Sequence, residues 1–217
     1  MFGDFDWDRN YFDFDMGRDI SADETIYWAQ DFNQGYHRGQ AYVVRGNTIY
    51  CVKRYEFPEI RYAPGVIRHD FPHQKILFLP DTTAKEEIAH FARELARHDI
   101  RLINRSKNPI VEDSAFLVNK LLYTRRLIIA KAARETAEAL SLQQRDKNGQ
   151  IQKGVGMMSP VHDTDGVRLV CYFLVCNKKE FADTRQVTVD RHQWVEEESA
   201  IKALDAGYYE ISSKALA

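Results

Sequence analysis

The sequence predicts an α+β fold in which a mainly antiparallel sheet packs against two central helices, one of them long (about residues 114–142). β-rich runs separated by turn residues fill the first third of the chain and return after Gly149. Between them, no glycine occurs from Val66 to Asn148, and apolar residues recur at helical spacing. The 217 residues are 44% hydrophobic and 29% charged, as in ordinary globular proteins. We expect one domain, residues 1–217.

Eight of the first 15 residues, residues 5–8 and 12–15, alternate aspartate with an aromatic residue, and this period of two predicts strands. We expect an acidic aromatic N-terminal hairpin (about residues 1–20) attached to the domain. Residues 1–32 contain nine acidic and two basic residues, a net charge of −7, which leaves +5 for residues 33–217. The hairpin is either a sheet edge with solvated carboxylates, or a surface that binds a protein or imitates nucleic-acid phosphates. The candidate partner-binding residues are Phe5, Asp6, Trp7, Asp8, Phe12, Asp13, Phe14 and Asp15.

Two capping boxes predict helix starts. The first begins at Ser21 and predicts a short helix over about residues 22–32. The second begins at Thr83, and apolar residues at helical spacing follow it to about His98.

Turn residues predict the strands between these helices. Gly46 and Asn47 separate two β-rich runs, residues 41–45 and 48–54, and predict a hairpin. A proline-rich stretch follows, in which residues 75–79 form the best strand pattern.

Residues 114–142 are predicted to form the organising helix, because their apolar residues fall in one wide arc. Arg125 lies near the middle of that arc. A guanidinium stays charged at ordinary pH, so burying it requires a carboxylate or a phosphate. Arg125 is therefore either a structural ion-pair partner, a side chain that reaches solvent, or part of an anion site with Arg126.

Basic side chains on the same helix predict a surface that follows a phosphate backbone. Glu135 and Glu138 interrupt this face, so a solvated charged surface is the alternative. A glycine-rich stretch around Lys153 could bring backbone amides close to phosphates. The candidate nucleic-acid-binding residues are Lys120, Arg125, Arg126, Lys131, Arg134 and Lys153.

The last third is predicted to return to β structure. Residues 150–158 are glycine-punctuated, and Arg168 to Cys176 is a nearly continuous apolar run, typical of a strand buried on both faces. A further strand at 185–190 and a helix at 196–204 follow.

A histidine and two carboxylates precede that apolar run. His162, Asp163 and Asp165 could hold a divalent cation, or His162 could act as a general base oriented by an aspartate. The same residue types suit a tight β-turn. A second pair, His69 and His73, is interrupted by a proline, which favours an exposed turn over a metal site.

Several functional classes are excluded. No nucleophile elbow, phosphate loop, Rossmann glycine pattern or zinc-ligand spacing occurs. No apolar run approaches the roughly 18 residues that span a membrane, and the acidic start does not match an export signal. The odd number of cysteines predicts reduced thiols in the cytoplasm.

We therefore expect a cytoplasmic, non-enzymatic binding protein without a cofactor or membrane partner. Its basic helix face would contact nucleic acid or a nucleoprotein, and its acidic N-terminal segment would contact a protein. An accessory or inhibitory protein of a phage or mobile element would have this organisation. One alternative is a metal-dependent hydrolase or nuclease that uses His162 with Asp163 or Asp165. The other is a purely protein-binding inhibitor or assembly subunit.

Overall fold

The computed structural model describes residues 2–13, 19–32, 37–83, 85–103, 107–143 and 161–184. Within them the chain forms an α/β fold around a seven-stranded sheet of order β1-β7-β4-β3-β2-β5-β6. The strands are β1 (Tyr11–Phe12), β2 (Thr25–Asp31), β3 (His37–Arg45), β4 (Thr48–Phe57), β5 (Lys75–Pro80), β6 (Ile100–Leu102) and β7 (Leu127–Ala130).

The sheet is mixed and mostly parallel. Four neighbouring pairs are parallel, and the β2–β3 and β3–β4 pairs are antiparallel. The expected α+β fold with a mainly antiparallel sheet is therefore wrong. The physical reason is that helical crossovers join most of the strands, and such connections produce parallel neighbours.

Helices cover both faces of the sheet. They are α1 (Trp7–Asn10), α2 (Ala63–Asp70), α3 (Lys85–Arg97), α4 (Val111–Tyr123), α5 (Arg134–Leu142) and α6 (Val161–Asn177). Residues of α4, α5 and α6 form one apolar core with the sheet, and residues of α2 and α3 form a second core with its opposite face. Along β2, Tyr27 belongs to the first core and Trp28 to the second, as the alternation of a strand requires.

Burial on both faces explains why the helix expected over residues 22–32 is instead β2. The Ser21 amide does donate to Glu24 Oε2 at 2.7 Å, so the capping contact forms. It closes a turn before the strand, because pairing with β3 and β5 outweighs the local helix signal.

Three local predictions are confirmed. The hairpin of β3 and β4 turns at Gly46, whose φ of 57° lies in the region that favours glycine. The strand predicted over residues 75–79 is β5, and the helix predicted after Thr83 contains α3.

The long helix expected over residues 114–142 is wrong. It is divided into α4, β7 and α5, and the division occurs at Arg125, whose φ is 57°. Asn10, fully buried, bridges the break by donating from Nδ2 to the carbonyl oxygens of Leu122 and Leu127 at 2.9 and 3.2 Å. The wide apolar arc therefore reflected three buried elements rather than one helix.

Two further expectations are corrected. The apolar run Arg168 to Cys176 is helical and belongs to α6, because a run buried on several sides suits a core helix as well as a strand. The N-terminal hairpin is replaced by α1 and by β1, which pairs in parallel with β7.

The elements expected at 150–158, 185–190 and 196–204 lie outside the described residues. The single-domain organisation stays a prediction.

No helix in the described ranges has the length and apolar character needed to cross a membrane. Cys51 and Cys171 are buried free thiols, and Cys176 is an exposed one. The cytoplasmic location stays a prediction.

Candidate active site

Two neighbouring parallel strands end in aspartates at the same edge of the sheet. Asp31 is the last residue of β2, and Asp81 directly follows the last residue of β5. Gln30 is paired with Pro80 across these strands, and the Asp81 amide donates to the Gln30 carbonyl at 3.3 Å. The register of the sheet thus places the two carboxylates side by side.

The first turns of α6 bring a histidine and a third carboxylate to this edge. His162 Nδ1 lies 3.0 Å from Asp31 Oδ2, and the Asp31 side chain is 8% exposed. Burial raises the pKa of Asp165, and the negative charges of Asp31 and Asp81 raise it further, although Arg168 acts in the opposite direction. Asp31, Asp81 and Asp165 are therefore close enough to repel one another.

Neighbouring side chains orient two of these carboxylates. Asp81 Oδ1 accepts from Asn108 Nδ2 at 2.6 Å and from the Thr83 amide at 2.9 Å. Asp165 accepts a hydrogen bond from the buried guanidinium of Arg168, which also donates to Ser114 Oγ at 3.0 Å. Arg168 Nε has no hydrogen-bond partner in the described part of the chain. These contacts limit the rotation of both carboxylates.

Asp163 faces the antiparallel strands instead. It is buried, and its Oδ1 accepts from Arg54 Nε at 2.9 Å and from Gln40 Nε2 at 3.1 Å. Arg38 Nη1 lies 3.5 Å from Oδ2 of the same carboxylate. This network fixes the start of α6 on β3 and β4, and so fixes the position of Asp165.

A glycine permits this close contact between helix and sheet. A Cβ placed on Gly166 would lie 1.9 Å from Gln40 Oε1, well inside van der Waals contact. Residues 161–177 are helical, so the interpretation of this segment as a tight β-turn is wrong.

The donor chemistry of the site fits a divalent metal ion. Carboxylate oxygens are the ligands that Mg²⁺ and Mn²⁺ prefer, and a bound cation would relieve the mutual repulsion of three carboxylates. Among the described residues, no three His, Cys, Asp or Glu side chains stand at the spacing of ligands to one ion. In this arrangement Asp165 is hydrogen-bonded to Arg168 and Asp31 to His162, so binding of an ion would require these carboxylates to turn towards Asp81. Asp31, Asp81 and Asp165 are the residues that would hold the ion.

The basic residues proposed to bind nucleic acid do not form one helix face. Arg125 is exposed, which corrects its expected place inside an apolar arc. Arg126 is the buried one, and it donates to Asp183 Oδ2 at 2.7 Å and to the Asn47 carbonyl at 2.8 Å.

The remaining candidates are scattered over other elements. Lys131 lies 3.7 Å from Asp13, and Arg134 pairs with Glu138 at 2.9 Å. Lys120 is partly buried on α4. Lys153 lies outside the described residues. Nucleic-acid contact through these residues stays a prediction.

The acidic aromatic segment is only partly exposed. Phe5 packs against the core, while Trp7 and Phe12 are 40% and 50% exposed. Asp6 caps α1 by accepting from the Arg9 amide at 3.0 Å. Asp8 and Asp13 are exposed, and Phe14 and Asp15 lie outside the described residues. A protein partner for this segment stays a prediction.

Sequence reasoning found His162 and Asp165 but missed Asp31 and Asp81. Asp31 was not recognised as a site residue because the capping box at Ser21 predicted a helix there instead of a strand. It entered the sequence analysis only through the net charge of residues 1–32. Asp81 lies two residues after the best predicted strand, residues 75–79, and a carboxylate close to the end of that strand was the signal that could have found it.

No known family profile matches the sequence, and no curated protein matches it. Solved structures are similar in fold. The large terminase of the thermophilic bacteriophage D6E is 17% identical with a TM-score of 0.60, covering 80% of this chain and 45% of that one. The chain therefore spans less than half the length of that protein.

Two isolated domains are matched over nearly their whole length. The P22 large terminase nuclease domain is 14% identical with a TM-score of 0.60, covering 83% of this chain and 95% of that one. The human cytomegalovirus terminase nuclease domain is 10% identical with a TM-score of 0.53, covering 80% and 93%. This chain shares the α/β fold of these domains, and this likeness to nuclease domains contradicts its interpretation as a non-enzymatic binding protein.

Proposed function

We propose that the chain is a metal-dependent nuclease that hydrolyses phosphodiester bonds of nucleic acid. The observation that carries this proposal is the convergence of Asp31, Asp81 and Asp165, with a raised pKa at Asp165. Structural ion pairs also perturb pKa values, but Asp31 and Asp81 come from the ends of adjacent parallel strands, where open α/β sheets place their sites. The fold shared with terminase nuclease domains supports the same reaction class.

Each residue has a defined role in this proposal. A divalent cation held by Asp31, Asp81 and Asp165 would activate water and stabilise charge on the phosphate. His162 positions the Asp31 carboxylate through their 3.0 Å contact. Arg168 and Asn108 orient Asp165 and Asp81.

The bond changes define what must be measured. Attack of water forms a P–O bond, and the bond between phosphorus and the leaving sugar oxygen breaks. The leaving oxygen takes up a proton, so the products are a phosphate end and a hydroxyl end.

The test is cleavage of supercoiled plasmid DNA and of single-stranded RNA by the purified chain with millimolar Mg²⁺ or Mn²⁺. We expect cleavage that EDTA abolishes. Asp81→Asn should lower the cleavage rate by at least about 100-fold, because loss of a residue that only orients a metal ligand already costs up to about 100-fold. The matched control is Asp8→Asn, an exposed residue of α1, which should leave the rate unchanged. Wild-type protein that cuts neither substrate, or Asp81→Asn that cuts normally, contradicts the proposal.

A further inference from the structure

A basic groove lies at the opposite edge of the sheet, where β5 and β6 begin and α2 and α3 end. It has a volume of about 710 Å³. Its lining includes four cationic side chains and one carboxylate, Asp99. The cations are Arg68, Lys75, Arg97 and Arg101.

Arg68 holds the backbone segments around this groove together, and no carboxylate in the described ranges neutralises its positive charge. Its guanidinium donates to the carbonyl oxygens of Phe71 and Gln74 at 2.9 Å each, and to those of His98 and Asp99 at 2.9 and 2.7 Å. These acceptors are neutral, and no ion pair of Arg68 occurs among the described residues. The end of α3 and the turn after α2 are therefore held together by a cation whose positive field reaches the groove.

Lys75 and Arg101 add two exposed charges on neighbouring strands. Leu77 is paired with Arg101, so Lys75, two residues before Leu77, projects from the same face of the sheet as Arg101. In the described part of the chain neither side chain makes a hydrogen bond or an ion pair. Arg97 differs, because it pairs with Glu94 at 2.6 Å.

We infer that this groove binds the phosphate backbone of the nucleic acid at a distance from the cleavage site. The inference rests on the proposed function for the identity of the polyanion. Charge complementarity carries it, since neighbouring cations without carboxylate partners release counterions when they contact phosphates. Lys75 is the first residue of β5 and Asp81 follows its last, so at about 3.3 Å per residue they lie about 20 Å apart. This span corresponds to about six base pairs of duplex DNA.

The experiment measures binding separately from cleavage. Fluorescence anisotropy of a 30-base-pair DNA duplex in EDTA, at several salt concentrations, compares the wild-type chain with Lys75→Glu/Arg101→Glu. We expect at least about a 10-fold weaker Kd and a salt slope smaller by about two, one for each lost phosphate contact. The milder Lys75→Gln/Arg101→Gln, with its fold checked by circular dichroism, should shift both quantities in the same direction.

The matched control is Arg61→Glu/Lys179→Glu, which makes the same change in net charge. Both side chains are exposed, neither lines the groove, and Arg61 already pairs with Glu59 at 2.7 Å, so we expect less than about a 3-fold change in Kd. An equal loss in both double variants overturns the inference, because the effect would then follow net charge. Unchanged binding of both groove variants also overturns it.

The two proposals fail in different ways. If the wild type cleaves nucleic acid but both groove variants bind as tightly as it does, the groove inference alone fails. If the wild type binds duplex DNA through the groove but cleaves neither DNA nor RNA, the proposed nuclease function fails.

Discussion

His162 and Asp31 are 131 positions apart in the sequence, yet His162 Nδ1 lies 3.0 Å from Asp31 Oδ2. The contact joins the first turn of α6 to the end of strand β2. The packing of α6 on the sheet therefore brings His162 next to the aspartate at the end of β2.

Loss of this contact should slow the reaction without unfolding the protein. Residues that orient metal ligands typically contribute about 10- to 100-fold, so we expect His162→Ala to lower the cleavage rate by that factor. His162→Gln, which keeps a donor, should recover part of it. His90→Ala, an exposed histidine of α3, is the control for steady-state cleavage kinetics. A rate for His162→Ala within 2-fold of wild type would contradict a positioning role.

Asp163 should contribute chiefly to stability, because its carboxylate holds α6 on the sheet and is not one of the proposed metal ligands. Its carboxylate lies between Arg54 and Arg38, whose side chains are 12% and 7% exposed. Removing one partner of a buried ion pair costs about 3–5 kcal/mol, which we expect for Asp163→Ala in urea unfolding. Glu56→Gln, in the same network but 37% exposed, should cost less than about 1 kcal/mol. Equal effects of the two variants would show that the network is not buried in solution.

Gly166→Ala should destabilise the protein. Its Cβ position lies 1.9 Å from Gln40 Oε1, so Gly166→Ala must displace the fully buried Gln40 side chain or move α6 away from β3. We expect a loss of about 1–3 kcal/mol in the free energy of unfolding, as for overpacked cores. Gly3→Ala is the control, because nothing lies within 4 Å of its Cβ position. Chemical denaturation of both variants measures this loss. A Gly166→Ala variant that is as stable as the wild type would contradict the close packing of α6 on β3.

The raised pKa of Asp165 predicts opposite pH dependences for stability and activity. Because the folded state binds the proton of this carboxyl more tightly than the unfolded state, ionisation of Asp165 destabilises the fold as pH rises above its ordinary value of 3.8. Asp165→Asn removes that cost, and its amide oxygen can still accept from Arg168. Its melting temperature should therefore exceed that of the wild type at pH 8.

This difference in melting temperature should shrink as pH falls through the raised pKa of Asp165. Wild-type cleavage should decrease over the same range, because metal binding needs the ionised carboxylate. Thermal unfolding and cleavage rates measured from pH 5 to pH 8 test both effects, with Asp13→Asn as an exposed control. A difference that does not change with pH would contradict the predicted titration of Asp165.

Local signals in the sequence sufficed where a few neighbouring residues decide the backbone. Gly46 determined the turn between β3 and β4, since a positive φ suits glycine. The apolar run of β5 and the periodic pattern of α3 were equally readable. His162, Asp163 and Asp165 were recognised as candidate catalytic residues because their residue types and spacing are visible in one short segment, although only the structure separates Asp163 from the other two.

Tertiary structure decided everything that depended on which faces were buried. Residues 25–31 follow a helix-capping signal but form a strand, and the apolar run 168–176 suits a strand but forms a helix, because their neighbours in the fold select the structure. The same is true of the site, because Asp31 and Asp81 become adjacent only when β2 and β5 pair in parallel. That pairing arises from long-range burial on both sides of the sheet, which no local stretch of sequence encodes.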